Sequence, residues 1–189
     1  MSERNTLIRS LHDVGLAAWF GGSLMGAVGL NGAAESEGGT QTATDRIASA
    51  GWAKWTPVNA AAIGAHLFGG GGLLAVNAHR VATQQGVAAS TAAKAAVTAA
   101  ALAATAYTRV LGKKIELASS SDPEDTEKAG KHPLDLDKAH RQLTWAQWAV
   151  PALTGCLVVL NALHGEQQRP TEQASGMWER ARSVSPFMA

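Results

Sequence analysis

Cysteine is almost missing from this chain of 189 residues, and its scarcity excludes a good deal. The single Cys156 rules out an internal disulfide and any Cys-x-x-Cys metal or redox motif; its place in an apolar stretch suits a small packing residue. Net charge is nearly missing too. Sixteen Lys and Arg against fifteen Asp and Glu leave +1, so charge gives no reason to expect nucleic acid as a partner. Mean hydropathy is −0.03, which taken alone shows no apolar excess. Catalytic signatures are absent as well: no glycine-rich loop leads into Lys-Ser or Lys-Thr, and neither Gly-x-Ser-x-Gly nor His-Glu-x-x-His occurs. The carboxylates of residues 112–141 stand among lysines without an apolar setting to perturb them. Nothing here argues for an enzyme, and the sequence requires no cofactor.

What is present is segregation. Charges are nearly absent from residues 14–34, 55–78, 95–108 and 142–165, and crowd into the stretches between. A charge at mid-bilayer costs about 2.5–3.5 kcal/mol on insertion scales, so this is a membrane pattern. The longest uncharged run, WTPVNAAAIGAHLFGGGGLLAVNA at 55–78, has the length of a span, roughly 20 residues at about 1.5 Å each. The fold class expected is all-α: a polytopic bundle of four transmembrane helices at about 11–31, 55–79, 90–111 and 143–164. They form one domain over 11–165, integral to the cell membrane. A polar arm (1–10), a loop (32–54), a polar loop (112–141) and a flexible tail (166–189, with a short helix around 177–181) complete the chain. Pro133 is expected to start a helix that runs into the fourth span. The first stretch is followed by acidic residues rather than a small-residue cleavage site, and is read as a retained helix. The third span is the weakest, with 14 residues between Lys94 and Arg109, whose charges must snorkel outward.

Small and aromatic residues suggest how the spans pack. Gly22 and Gly26 form a GxxxG, extended by Gly29, that leaves one helix face bare and lets another backbone approach. The run Gly69, Gly70, Gly71 and Gly72 is expected to pack against that face, which also offers a contact for a homo-oligomer or a membrane-protein partner. Trp52, Trp55, Trp145 and Trp148 precede the second and fourth spans, where amphipathic indoles anchor at the headgroup level. The two leaders rhyme: Asp45-Arg46, five residues and WAKWTP; Asp137-Lys138, six residues and WAQWAVP. Asn77-Ala78-His79 and Asn161-Ala162-Leu163-His164 close the two spans. Such a repeat makes two helical hairpins in parallel orientation, related by an axis along the membrane normal. Pro57 falls in the first turn of its span and Pro151 is expected to kink the fourth.

Histidines are the candidate site residues. His66 is the only ionisable side chain within its stretch, and an intramembrane ionisable residue raises a functional hypothesis. With Asn59 and Asn77 it would line a polar path; as a haem ligand its one conceivable partner is Met25; otherwise it is a neutral imidazole bonded to a neighbouring helix. Four spans also bring His12, His79 and His164 to the face bearing the termini, with Asp13 and Glu166, ligand types that suit zinc or copper. The Lys and Arg distribution does not separate the two faces; the acidic, tryptophan-flanked first loop places the termini in the cytoplasm.

AAWFGG in the first span and WAxW…P leading through LNALHGEQQRP resemble uncharacterised four-helix integral membrane proteins of high-GC actinobacteria, over most of residues 11–170. The resemblance implies membrane location and carries over no catalytic residue. Three functional readings follow. The leading one is a non-catalytic accessory or scaffolding bundle whose partners are the lipid bilayer and a second copy or another membrane protein. The second is a small-solute or ion transporter or channel using the path at His66, and the third is a metal- or haem-binding membrane protein.

Overall fold

A computed structural model describes residues 5–131 and 133–166, and among these every regular element is helical. The chain begins with α1 (Thr6–Met25), passes through a π turn (Gly26–Leu30) and continues as α2 (Asn31–Gly38). Helical dihedrals at Gly26 and Asn31 make these three segments one continuous rod. It stops where Gly39 takes φ +66°, a left-handed conformation that favours glycine. Thr40 then caps α3 (Gln41–Val76), its hydroxyl accepting from the Ala43 amide at 3.3 Å. At the other end the Asn77 side chain donates to the Leu73 carbonyl at 2.8 Å, and a short α4 (Ala78–Thr83) leads into α5 (Gln85–Ser119). Asp122 caps α6 (Pro123–Lys131) through the Glu124 amide, and Asp135 caps α7 (Leu136–Glu166) through the Lys138 amide.

Two expected loops are therefore helix. Residues 32–54 contribute α2 and the first four turns of α3, with only Gly39 and Thr40 between them, and 112–141 is largely α5, α6 and the start of α7. Their polarity marks water around a helix, not the end of one: Ala, Gln, Glu and Lys are good helix formers on either side of a bilayer edge. A helix of 36 residues is about 54 Å long, against a hydrocarbon core of about 30 Å. Pro57 accordingly lies in mid-helix rather than a first turn. The helical start after Pro133 does appear, at Leu136. The calls on residues 1–4 and 167–189 lie outside the described residues.

The rods α1–α2, α3, α5 and α7 form a ring in which each touches the next and α7 returns to α1. All four meet at one layer, where Trp19, Ala101 and Val150 are buried and Ile63, Leu102 and Leu153 pack around them. Among the described residues four helices are long and apolar enough to cross a membrane: Thr6–Gly38, Gln41–Val76, Gly86–Ser119 and Leu136–Leu163. Their apolar windows point mostly outward; that of α5 is only 6% buried, and Phe68 is 73% exposed. Apolar surface on this scale is at home in lipid and not in water. The chain is a membrane protein built as an all-α bundle.

Beyond the apolar section, α2, the start of α3, the end of α5, α6 and the start of α7 form a polar head at the end of the bundle opposite the start of α1 and the end of α7. Leu111, Ile115 and Ala139 give it a small core of its own, flanked by Leu134 and Leu143.

Candidate functional site

The tightest part of the bundle is the antiparallel seam between α1 and α3. Residues 8, 12, 15, 19, 22 and 26 of α1 alternate steps of four and three, and 52, 55, 59, 62, 66 and 69 of α3 do the same, the spacing of an interlocking helix pair. Side chains alternate large against absent. Gly26 leaves a hole filled by the Trp52 ring, Gly22 one filled by Trp55, and Gly72 one filled by Ile8. At Gly15 a Cβ would stand 2.5 Å from both the Ala62 carbonyl oxygen and the His66 nitrogen; at Gly69 it would stand 2.5 Å from the His12 nitrogen.

Between those two glycines lies the histidine pair. His12 Nδ1 is 3.0 Å from the His66 carbonyl oxygen, and His66 Nδ1 is 3.1 Å from the His12 carbonyl oxygen. Carbonyls only accept, so each Nδ1 carries a proton and donates it. The rings stack, centroids 4.1 Å apart and planes 20° apart, and Trp19 meets His66 edge-on at 6.1 Å. His66 is buried, and Asn161 of α7 approaches His12 Nε2 at 3.5 Å. One local sequence makes both halves. His12 and Gly15, like His66 and Gly69, form His-x-x-Gly, and each glycine makes room for the other helix's backbone at its histidine. That repeat is visible in the sequence and is the signal that composition and spacing of the spans passed over.

The pair revises the depth of His66. Read on its own stretch, it stands at mid-span. The seam slides the first two spans past one another, however, so that Asp13 of α1 comes level with His66. Arg9, Asp13 and Lys94 of α5 lie within electrostatic range of one another nearby. The histidines thus sit beside a charged rim at the end of the bundle where α1 starts.

The candidate site residues are redistributed accordingly. Gly22 and Gly26 are closed by tryptophans of the same chain and offer no face to a second copy, which corrects the expected role of the GxxxG; Gly29 touches only Met25. The run Gly69 to Gly72 packs on Ile8 and His12, not on Gly22 and Gly26, and Gly71 faces open space. Trp52 and Trp55 are inward-facing wedges rather than interfacial anchors, and the Trp52 indole donates to Asn31 Oδ1 at 2.9 Å. Asn31 in turn donates to Gln147 Oε1 at 2.9 Å, tying α2 to α7. Trp145 and Trp148 do face outward, the former 80% exposed. The two WAxW segments therefore occupy unlike environments.

His12 is committed to His66, while His79 is exposed on α4; the His164 and Glu166 side chains lie outside the described residues. Among the described residues no three His, Cys, Asp or Glu side chains gather as a metal site. Asn59 and Asn77 share a helix face with His66, and between Asn59 and His66 the Gly15–Ala62 layer brings backbone against backbone. Asn77 is spent on its own helix end.

A second polar cluster lies in the head. Asp45 accepts from His140 Nε2 at 3.0 and 3.1 Å and from Gln41 at 2.9 Å, while the adjacent Arg46 donates through Nε to the Ser119 carbonyl at 2.6 Å. Consecutive residues of α3 thereby hold α7 and α5. A cleft of about 440 Å³ opens beside them, lined by Thr42, Asp137 and Arg141 among others. Compared with protein-family models, curated proteins and solved structures, the chain matches none.

Proposed function

We propose that this protein is a non-catalytic accessory or scaffolding component of the cell membrane, a rigid four-helix anchor presenting a small polar head on one face. The observation that carries this is the fate of His66. The residue best suited to transport or ligation has its Nδ1–H on the His12 carbonyl and its ring stacked on His12, so its polarity serves to lock α1 to α3. The head supports the same reading: it is held to α3 by the Asp45 and Arg46 contacts and stands clear of the bilayer, where a membrane or soluble partner has access to it. Its partners would be lipid and another membrane protein or a second copy, met through surfaces other than Gly22 and Gly26. We place both termini on the cytoplasmic side, which thiol labelling of single cysteines placed in α6 or α4 of a Cys156→Ala background checks.

Flux and cross-linking together test the proposal. Proteoliposomes are expected to pass ions and small solutes no faster than empty vesicles, while cross-linking in native membranes yields a discrete larger species through the head. Flux that His66→Gln abolishes would replace this reading with the transport one.

A further inference from the structure

Trp55 Nε1 and Asn59 Oδ1 are both buried and have no hydrogen-bond partner among the described residues. They are one turn apart on α3, on the face that forms the seam with α1, and they are complementary: one is an N–H donor, the other a carbonyl acceptor. In a segment that crosses lipid, an unmet polar group costs several kcal/mol, because no solvent is at hand to replace the missing bond. Two such groups one turn apart on one helix face are therefore costly as independent orphans.

Neither is relieved by what surrounds it. The Trp55 ring is wedged over Gly22, where a Cβ would collide with it, so the indole has no freedom to swing toward another acceptor. Trp19, level with Asn59 across the seam, already donates its own N–H to Thr105 Oγ1 at 3.2 Å. Ser23, the nearest hydroxyl of α1, donates to the Trp19 and Phe20 carbonyls of its own helix. A group that accepts one hydrogen bond and donates another satisfies both orphans, and water is the smallest such group.

We infer that Trp55 and Asn59 hold a single structural water inside the α1–α3 seam, accepting from the indole and donating to the amide oxygen. It goes no deeper, because the Gly15–Ala62 layer closes the seam below. Substitution of either residue leaves the other group and the water short of a bond.

The test uses the full chain in lipid nanodiscs with ¹⁵N-labelled tryptophan, with Trp55→Phe assigning the Trp55 indole signal. A cross-relaxation peak between the Trp55 indole proton and slowly exchanging water is expected. Its absence, or a coupling across a hydrogen bond from that indole ¹⁵N to a ¹³C-labelled Asn59 side-chain carbonyl, overturns the proposal. A stability cycle adds a second measure. Asn59→Leu and Trp55→Phe are each expected to lower the midpoint of denaturation, and the double variant to lose less than the two together. Additive effects, or single variants that raise the midpoint, show independent orphans and contradict the shared water.

Discussion

Replacing Gly15 by alanine puts a methyl group in place of a hydrogen where the backbones of α1 and α3 come close. The new Cβ would lie 2.5 Å from the Ala62 oxygen and from the His66 nitrogen, both backbone atoms that no rotamer change can move aside. Ordinary contact between such atoms is about 3.5 Å, so α1 and α3 must part by roughly 1 Å. Overpacking of this kind costs about 1–3 kcal/mol. The same displacement stretches the two reciprocal histidine–carbonyl bonds, worth about 1 kcal/mol each. Against this stands the gain of alanine over glycine in a helix, about 1 kcal/mol. The net expectation is a loss of about 3 kcal/mol. Gly21, in the same helix, has nothing within 4 Å of the corresponding Cβ, so Gly21→Ala should stabilise by up to about 1 kcal/mol. One chemical change at two sites of one helix therefore differs by about 4 kcal/mol, close to three decades in the unfolding equilibrium. Denaturation with SDS in mixed micelles, followed by circular dichroism, measures both. If Gly15→Ala is as benign as Gly21→Ala, the close seam is wrong and so is the geometry of the histidine pair.

Other substitutions probe the remaining features. Trp52→Ala should cost about 3 kcal/mol or more by emptying the hole at Gly26 and freeing Asn31, whereas Trp145→Ala should leave the same denaturation curve nearly unmoved. In the head, Asp45→Asn or His140→Ala should destabilise locally by about 1–3 kcal/mol, seen as faster amide exchange over the start of α3 with the lipid-embedded turns unchanged. Lys128 is held charged by its hydrogen bond to Glu124, which raises its pKa above the ordinary lysine value. A raised folded pKa stabilises below the unfolded value and is lost as pH climbs through the folded one. Helicity of α6 should thus be flat across neutral pH and fall only in the alkaline range, read by exchange or by circular dichroism of the isolated change between wild type and Lys128→Gln.

The four spans were legible because lipid imposes a length and forbids charge, and both are written along the chain. The helix ends were not, because Gln41 to Lys54 and Gly112 to Ser119 change from apolar to polar without ceasing to be helical, and only Gly39 with its positive φ breaks the first rod. The site was half legible. His66 stood out as the ionisable residue within its span, yet it reads there as mid-depth while its partner His12 reads as edge, because depth is judged span by span. The register between spans is set by interlocking, Gly15 on Ala62 and Gly22 on Trp55, and no single span contains that information. The GxxxG was likewise read as a site for a backbone, when the facing helix supplied two indoles of the right size.

Everything above depends on these helices lying in a bilayer, and membrane fractionation at alkaline pH tests that most directly. After a sodium carbonate wash the full-length protein should remain in the membrane pellet and enter solution only with detergent. Its appearance in the carbonate supernatant would mean that the outward apolar faces of α3 and α5 are covered by something other than lipid, and would contradict the account.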